Sequence, residues 1–289
     1  MKEFKTLNDI LEEKELIMVP GALDALTAKL VEEQGFDAVH MTGFGTSVSN
    51  FGLPDRGLIT LTEMVQTASR MVDAITIPLI ADAETGFGNP LNVVRTVKQF
   101  EKAGVAGLHI EDQVWPKRCG HMAGKSVIEV DEMVGKIRAA VDTRKNPNFV
   151  IIARTDALAT HGFDHAIERC KIYAEAGADM LFIDGVKRMG HLKKIPKLLK
   201  DKPNIVNMGP LTPNLSADEL KKLGYSIAAY PGICLVAKIL ACREDLKRLK
   251  ETGRQRDFIE IVQAFPNFNE FLGDTRYSEL ERKYAVKKE

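Results

Sequence analysis

The chain has 289 residues, and its 40 lysines and arginines are balanced by 40 aspartates and glutamates, so its formal net charge at pH 7 is zero. This balance gives no general attraction to nucleic acid, to an anionic membrane or to an acidic partner. The amino-terminal residues are charged, and Pro231 and Lys238 interrupt the longest apolar stretch, so we expect no signal peptide and no membrane segment. The four cysteines lack metal-finger spacing, and a chain of this length needs no disulfides. We therefore expect a cytoplasmic protein with reduced thiols and a small-molecule ligand.

Eight short runs rich in Val, Ile and Leu alternate with longer segments of helical periodicity, as in repeated βα units. Glycines at positions 35, 104, 177 and 224 stand shortly before four of these runs, where a left-handed residue would end the preceding helix. Eight regularly spaced units predict a single α/β domain, a closed (β/α)8 barrel of the TIM type. A doubly wound open sheet is the alternative, but no Gly-x-Gly-x-x-Gly turn follows the first run. The runs are 16–19, 38–42, 78–83, 107–111, 149–154, 180–184, 205–208 and 226–230.

The segment that follows the eighth unit is charged but also carries apolar residues such as Ile259, Phe268 and Phe271. This much apolar surface at the end of a chain needs a partner. We therefore place the barrel at 1–243 and expect 244–289 to be a helical extension that packs on the same or a neighbouring subunit.

Acidic residues follow the third and fourth apolar runs directly. Asp82 and Glu84 stand at the end of the third run, and Glu111 and Asp112 at the end of the fourth. Because the carboxyl ends of parallel strands meet at one rim of a barrel, we expect these side chains to lie close together. Oxygen ligands of this kind suit Mg²⁺ or Mn²⁺ better than a soft metal.

Between the fourth and fifth runs lies Lys117-Arg118-Cys119-Gly120-His121, in which one thiol is flanked by cations and an imidazole. Cationic neighbours lower the pKa of a thiol, and a cysteine that exchanges its proton can serve as an acid or a base. The alternative is a basic surface loop that happens to contain a cysteine. The acids on the neighbouring strands favour the reactive cysteine.

Together these features resemble the isocitrate lyase and phosphoenolpyruvate mutase superfamily across nearly the whole chain. In that superfamily the phosphonate-forming mutases lack this cysteine, so the loop looks like that of the carbon-carbon lyases, and the chain is most similar to the methylisocitrate lyase-like branch that includes 2,3-dimethylmalate lyase. The segments that carry the resemblance are 42–45, 51–55, 82–88, 107–113, the cysteine loop and 153–157.

The resemblance implies Mg²⁺ on Asp82, with Glu84 and Glu111 holding waters of the metal, and Mn²⁺ as a possible substitute. Many relatives have Asp at the position of Glu84, so a direct contact between Glu84 and the metal stays open. For Arg154, the implied carboxylate clamp, the alternative is an ordinary salt bridge with Asp156. The residues implied in substrate binding are Thr42, Gly43, Phe44, Gly120, Arg154 and Asn207.

The reaction that the resemblance implies is retro-aldol cleavage of a 2-hydroxy dicarboxylate. Cys119 would protonate the carbanion of the departing carboxylate. Lys117, Arg118 and His121 would stabilise negative charge on that group and on the thiolate. His40 stands where related lyases often have Tyr, and it is either the base for the hydroxyl proton or a wall residue of the second strand.

Three departures from the methylisocitrate lyase pattern bear on the substrate. That branch carries Pro-Glu after the sixth strand, Thr-Glu-Phe-Gly after the seventh and Arg after the eighth. This chain has Ile-Asp at 183–184, a different segment at 207–213, where Asn207 is retained, and apolar residues at 235–236. A buried carboxylate without its cation costs roughly several kcal/mol, so we expect a substrate with one carboxylate fewer.

Such a substrate is 2,3-dimethylmalate, whose cleavage gives pyruvate and propionate. Its methyl group would lie near Met208, Leu211 or Val236. The enzymatic alternatives are 2-methylisocitrate lyase and oxaloacetate hydrolase, and the non-enzymatic one is a barrel that binds a dicarboxylate and metal without turnover. The resemblance also implies a homotetramer, a dimer of dimers in which terminal helices are exchanged.

Overall fold

The computed structural model describes residues 5–119, 124–257, 259 and 268–285. Eight parallel strands pair in sequence order, and β8 pairs with β1, so the sheet closes into a barrel. This confirms the predicted (β/α)8 fold and excludes the open sheet. The strands are β1 (Ile17–Ala22), β2 (Val39–Met41), β3 (Leu79–Asp82), β4 (Gly107–Glu111), β5 (Val150–Thr155), β6 (Met180–Ile183), β7 (Asn204–Asn207) and β8 (Ile227–Tyr230).

The helices between the strands begin and end where the sequence provides caps. Thr60 and Ser216 each accept a hydrogen bond from a backbone N–H of the first turn and complete a capping box. The described helices are α1 (Leu7–Glu13), α2 (Ala25–Glu33), α3 (Gly43–Phe51), α4 (Leu61–Ala74), α5 (Pro90–Lys102), α6 (Val130–Thr143), α7 (Ala157–Thr160), α8 (Phe163–Glu175), α9 (Met189–Leu198), α10 (Ala217–Leu223), α11 (Ile233–Thr252), α12 (Phe268–Phe271) and α13 (Asp274–Tyr284).

The four glycines that precede strands have the conformation that the sequence predicts. Gly35, Gly104, Gly177 and Gly224 have φ values of 78°, 83°, 107° and 94°. Glycine adopts this left-handed region at low cost, so each of these residues ends a helix and turns the chain toward the next strand.

Side chains of successive strand residues point alternately into the barrel and outward to the helices. The interior cluster includes Val19, Ile80, Ile152 and Phe182, and α1 adds Leu7 to it. A second, larger cluster lies between the strands and the surrounding helices. Both clusters hold the strands rigidly, so their carboxyl ends are fixed supports for polar side chains.

The chain divides into two compact units, Met1–Ala237 and Lys238–Glu289. The first holds the barrel. In the second, Arg256 and Asp245 form an ion pair of 2.7 Å between Nε and Oδ1, and α12 and α13 follow. None of the helices in the described ranges is long and apolar enough to span a membrane. The division into a barrel at 1–243 and an extension at 244–289, and the packing of that extension, stay predictions.

Candidate active site

A cavity of about 710 Å³ opens at the carboxyl ends of the strands. Gly43, Glu84 and Glu111 lie directly behind its wall, in contact with residues that face it. Arg118 is described but is not among the lining residues, and Gly120 and His121 lie outside the described residues. The predicted site residues that line the cavity are Thr42, Phe44, Asp82, Lys117, Cys119, Arg154 and Asn207.

Asp82 ends β3 and is held by two backbone amides. Gly43 N–H donates to its Oδ2 at 3.1 Å, and Glu84 N–H donates to its Oδ1 at 2.9 Å. A Cβ on Gly43 would lie 2.5 Å from Oδ2 of Asp82, so only glycine fits at this position. The amide of Gly43, a residue that the resemblance implies in substrate binding, therefore supports Asp82 in this structure.

Glu84 is buried and has a φ of 53°, which is unusual for a residue other than glycine. This backbone conformation brings its side chain close to Asp82 and to Lys117, whose Nζ lies 3.0 Å from Glu84 Oε2. Lys117 also donates a short hydrogen bond to Asp55. One buried ammonium therefore joins Glu84, just after β3, to Asp55, which lies in the loop between α3 and α4.

Glu111 ends β4 and stands opposite Arg154 in the register of β4 and β5. Nη1 of Arg154 lies 3.2 Å from Glu111 Oε2, and the other carboxylate oxygen, Oε1, is buried without a hydrogen-bond partner. A buried carboxylate oxygen without a donor is unfavourable unless a cation or water supplies one. Glu111 therefore has an unused acceptor beside Arg154.

Burial and neighbouring charge act differently on the three acids. Burial raises the pKa of Glu84 to about 8 and raises the pKa of Glu111 well above its ordinary value. Burial also acts to raise the pKa of Asp82, but the charges of His109, Lys117 and Arg154 outweigh it and hold that pKa well below its usual range. Asp82 is therefore the acid with the lowest pKa of the three.

The donor set fits Mg²⁺ bound mainly through water. No three acidic, His or Cys side chains in the described ranges are placed to hold an ion by themselves. Mg²⁺ commonly uses only one or two protein carboxylates and keeps several waters. Asp82 with Glu84 and Glu111 supplies hard oxygen ligands of this kind, and the unpartnered Oε1 of Glu111 is available to a bound water.

Arg154 makes the salt bridge with Asp156 that the sequence analysis considered, and two further ones. Its Nε donates to Asp156 Oδ2 at 3.0 Å, and its Nη2 donates to Asp184 Oδ2 at 2.9 Å. Asn207 donates to the other oxygen of Asp184 at 2.8 Å, and its own Oδ1 is buried without a partner. These carboxylates fix the guanidinium at the cavity wall.

His40 and His109 form a pair in the wall that the sequence did not reveal. Their Nε2 atoms are 3.0 Å apart, and Nδ1 of His109 lies 3.8 Å from Asp82 Oδ1. Burial and the neighbouring His109 lower the pKa of His40 to about 3, so its imidazole is neutral. The structure places His40 in the wall, and its role as the base stays a prediction.

The cysteine loop is anchored where it leaves β4. The side chain of Gln113 accepts from the Arg118 N–H at 3.0 Å and donates to the Arg118 carbonyl at 2.9 Å. The N–H of Cys119 donates to the Asp55 carbonyl at 3.2 Å. These bonds hold the half-buried Cys119 at the edge of the cavity.

Asp112 is completely buried behind this site, and its carboxylate accepts four hydrogen bonds. Thr155 Oγ1 and the N–H of Asp156 donate to it at 2.7 and 2.9 Å. Arg169 and Tyr173, both on α8, donate at 3.1 and 2.9 Å. The network holds Asp156, and Asp156 in turn contacts Arg154 and Lys125. Nζ of Lys125 lies 2.5 Å from Asp156 Oδ1.

Side chains that follow β7 and β8 give the cavity an apolar side. Met208, Pro210, Ile233 and Val236 line it there. Leu211, which the sequence analysis placed near a substrate methyl group, is not among the lining residues. Two of the lining residues are a lysine and an arginine, Lys117 and Arg154, and both lie on the opposite side of the cavity.

Comparison with known proteins agrees with this fold. Residues 7–250 match the family model described as phosphoenolpyruvate phosphomutase. A 2,3-dimethylmalate lyase from Eubacterium barkeri is 46% identical over 282 residues, which cover 97% of each chain.

Two solved structures are also similar. Oxaloacetate acetylhydrolase in complex with 3,3-difluorooxalacetate is 35% identical, with a TM-score of 0.91, covering 97% of this chain and 96% of the other. Phosphonopyruvate hydrolase with oxalate and Mg²⁺ is 30% identical, with a TM-score of 0.86, covering 98% of this chain and 99% of the other.

The fold and the acid-lined cavity define an α/β-barrel enzyme. The chain belongs to the phosphoenolpyruvate mutase/isocitrate lyase superfamily, and within it to the lyases, as the sequence analysis predicted.

Sequence reasoning did not assign roles to Asp55, His109 and Asp184. Asp55 lies in 51–55, one of the segments that carry the family resemblance, and Asp184 is the last residue of the sixth apolar run. Both positions could therefore have been recognised in the sequence. Asp55 and Lys117 are 62 positions apart, however, and their contact depends on the path of two loops.

Proposed function

We propose that this protein is a Mg²⁺-dependent carbon-carbon lyase that cleaves 2,3-dimethylmalate to pyruvate and propionate. The observation that carries the proposal is the division of the cavity into a charged side and an apolar side. The charged side suits the 2-hydroxy acid that all candidate lyase substrates share. The apolar side suits a substrate whose remaining part carries a methyl group and no third carboxylate.

The choice of substrate rests on the side chains after β7 and β8. A third carboxylate placed against Met208 and Val236 would lose its hydration without gaining a cation there, which costs roughly several kcal/mol. A methyl group in the same place gains by burial, at about 0.8 kcal/mol per carbon. Both effects favour 2,3-dimethylmalate over 2-methylisocitrate.

In this proposal Asp82 would bind Mg²⁺, and Glu84 and Glu111 would hold waters of the metal. When bound, the metal would supply the positive charge that lowers the pKa of the substrate hydroxyl. Arg154, Asn207 and the Thr42–Phe44 segment orient the substrate carboxylates.

Cleavage breaks the bond between C2 and C3. The hydroxyl proton passes to a general base, for which His40 is the candidate, C2 becomes the carbonyl carbon of pyruvate, and the electron pair of the bond remains on C3. Cys119 donates its thiol proton to C3, which gives propionate. Lys117, Arg118 and His121 contribute positive charge on the loop side, and Gly120 allows the backbone to approach the substrate.

The experiment is a set of product assays with Mg²⁺ and purified protein, in separate reactions: pyruvate from 2,3-dimethylmalate and from 2-methylisocitrate, glyoxylate from isocitrate, and oxalate from oxaloacetate. We expect pyruvate mainly from dimethylmalate, and its loss with EDTA and in Cys119→Ser. A preference for 2-methylisocitrate would contradict the argument from the apolar side. No turnover of any substrate, with Mg²⁺ binding intact, would favour a dicarboxylate-binding barrel.

Hydrolysis of oxaloacetate is the second candidate, favoured by the likeness to oxaloacetate acetylhydrolase. Oxaloacetate is also a dicarboxylate, so the absence of an Arg after the eighth strand does not exclude it. Its products, oxalate and acetate, distinguish it from cleavage of dimethylmalate. Oxalate formed from oxaloacetate in place of pyruvate from dimethylmalate would therefore select this candidate.

We further propose a cytoplasmic homotetramer, a dimer of dimers, in which the extension after position 243 packs on a neighbouring subunit. Leu246 and Leu249 on α11 and Ile259 beyond it are exposed, which supports a partner for this segment. Cys170, Cys234 and Cys242 are free thiols, which suits a reducing compartment. Light scattering on the full chain should give four times the 32.0 kDa of one chain, and a monomer would contradict this proposal.

A further inference from the structure

Lys136 is a buried cation on α6 that the proposed reaction does not use. It exposes only 3% of its surface, and its Nζ donates to the carbonyl of Thr85 at 3.1 Å. Its acidic neighbour Glu132 is 3.9 Å away and half exposed. Burying an ammonium group is costly, so a lysine that does so for a bond to a backbone carbonyl indicates a specific role for that bond.

The carbonyl that Lys136 contacts belongs to the residue directly after Glu84. With a φ of 53°, Glu84 has a strained backbone, and such a conformation persists only when its surroundings hold it. This backbone conformation places the Glu84 carboxylate close to Asp82 and Lys117.

Four successive carbonyls of this turn each have a donor. The Ala83 carbonyl accepts from Gly86 N–H at 2.8 Å, and the Glu84 carbonyl accepts from Glu111 N–H at 2.9 Å. The other two are held by side chains from the outer helices. Thr96 on α5 donates to the Gly86 carbonyl at 3.0 Å, and Lys136 on α6 donates to the Thr85 carbonyl.

We propose that Lys136 is a positioning residue for the metal site: its bond to the Thr85 carbonyl holds Glu84 in the left-handed conformation that directs its carboxylate toward Asp82. This inference rests on the proposed function, in which both acids serve Mg²⁺. Lys136 acts through the backbone and touches neither acid. Residues that orient metal ligands in this indirect way typically contribute 10–100-fold to metal affinity.

The test is a calorimetric titration of the full chain with Mg²⁺. Lys136→Met keeps the length of the side chain but removes the donor, and we expect its Kd for Mg²⁺ to rise about tenfold or more. Lys136→Arg keeps a charged donor and should bind Mg²⁺ within about threefold of the wild type. Lys29→Met is the matched control, because Lys29 donates to the Ala74 carbonyl of α4 at 3.5 Å, away from the acids. Its Kd should not change.

Circular dichroism on each sample establishes that the protein titrated is folded. Should Lys136→Met not fold, Lys136→Leu, which also removes the donor, takes its place with the same expected direction. An unchanged Kd in the folded variant would overturn the role of Lys136 and leave the proposed function intact. Absence of Mg²⁺ binding in the wild type would instead overturn the proposed function, and this inference with it.

Discussion

The two sides of the cavity differ in how their side chains are fixed. On the side formed by β2 to β5, Lys117 and Arg154 are buried and paired with acids, Lys117 with Asp55 and Arg154 with Glu111. On the side formed after β7 and β8, Met208 and Val236 face the cavity with no ionic partner.

This difference separates two properties of the enzyme. Changes on the charged side disturb several partners at once, so they should affect the chemistry common to the superfamily. Changes on the apolar side disturb packing alone, so they should alter which substrate is accepted. The predictions below test this division, beginning with the largest expected effect.

Asp82→Asn should abolish measurable turnover, with a loss of about 10⁴-fold or more, because it removes the carboxylate that we propose as the direct ligand of Mg²⁺. Calorimetry should show the matching loss of Mg²⁺ binding. Asp73→Asn, a change of an exposed acid on α4, is the control and should leave both measurements unchanged. Turnover of Asp82→Asn near the wild-type rate would remove Asp82 from the metal site.

Cys119→Ser should reduce kcat by about 10³-fold, because the serine hydroxyl is a far weaker acid than a thiol for protonation of C3. Binding of Mg²⁺ should persist, which distinguishes this variant from Asp82→Asn. The exposed Cys242 provides the matched control, and Cys242→Ser should retain full kcat. Equal rates in the two serine variants would show that the loop thiol takes no part.

The effect on the apolar side should be a change of substrate rather than a loss of chemistry. Val236→Arg should lower kcat/KM for 2,3-dimethylmalate about 10–100-fold and raise it for 2-methylisocitrate, because it places a cation where a third carboxylate would lie. Leu91→Arg, at a leucine that is 79% exposed on α5 and outside the cavity, is the control. Equal losses for both substrates in Val236→Arg would contradict the division.

How much of this arrangement the sequence predicts depends on whether a residue lies on a strand end or in a loop. Asp82 and Glu111 end strands, so the spacing of the βα units was enough to place them together. The barrel follows for the same reason, and the helix-ending glycines are visible as single letters. Cys119 was identified from its charged neighbours.

The remaining contacts depend on geometry that spacing does not encode. The left-handed backbone of Glu84 has no sequence signal, because glutamate rarely adopts it. Lys136 has the appearance of an ordinary helix lysine until α6 is packed against the barrel. Asp112 stood beside Glu111 as a second acid of the rim, but the structure turns it away from the cavity toward Arg169.

Arg169→Met tests whether the network behind the charged side affects binding. Loss of the bond to Asp112 should loosen Asp156 and Arg154 and raise KM about tenfold with a smaller change in kcat, since a buried charged bond contributes about 1.5–3 kcal/mol. Arg144→Met is the matched control, because Arg144 also contacts an aspartate, Asp179, and a backbone carbonyl. Only Arg169→Met should change KM, and a similar rise in both variants would indicate general destabilisation.

The smallest expected effect is on stability, at the loop that carries Asp55. Gly52 and Gly57 both have positive φ, 65° and 66°, but a Cβ on Gly57 would lie 2.9 Å from the Trp115 ring, whereas Gly52 has open space. Gly52→Ala should lower the free energy of unfolding by about 1 kcal/mol through backbone strain alone. Gly57→Ala should lower it by about 2 kcal/mol or more. Denaturant unfolding of the two variants measures the difference, and equal losses would show that Trp115 moves aside freely.

The measurement that tests the central claim most directly is kcat/KM for 2,3-dimethylmalate and for 2-methylisocitrate, obtained with the same protein sample, coupled assay and Mg²⁺ concentration. If the apolar side excludes a third carboxylate, dimethylmalate should be preferred at least about 100-fold, the ratio that corresponds to roughly 3 kcal/mol. An equal or higher value for 2-methylisocitrate would contradict this account of the substrate.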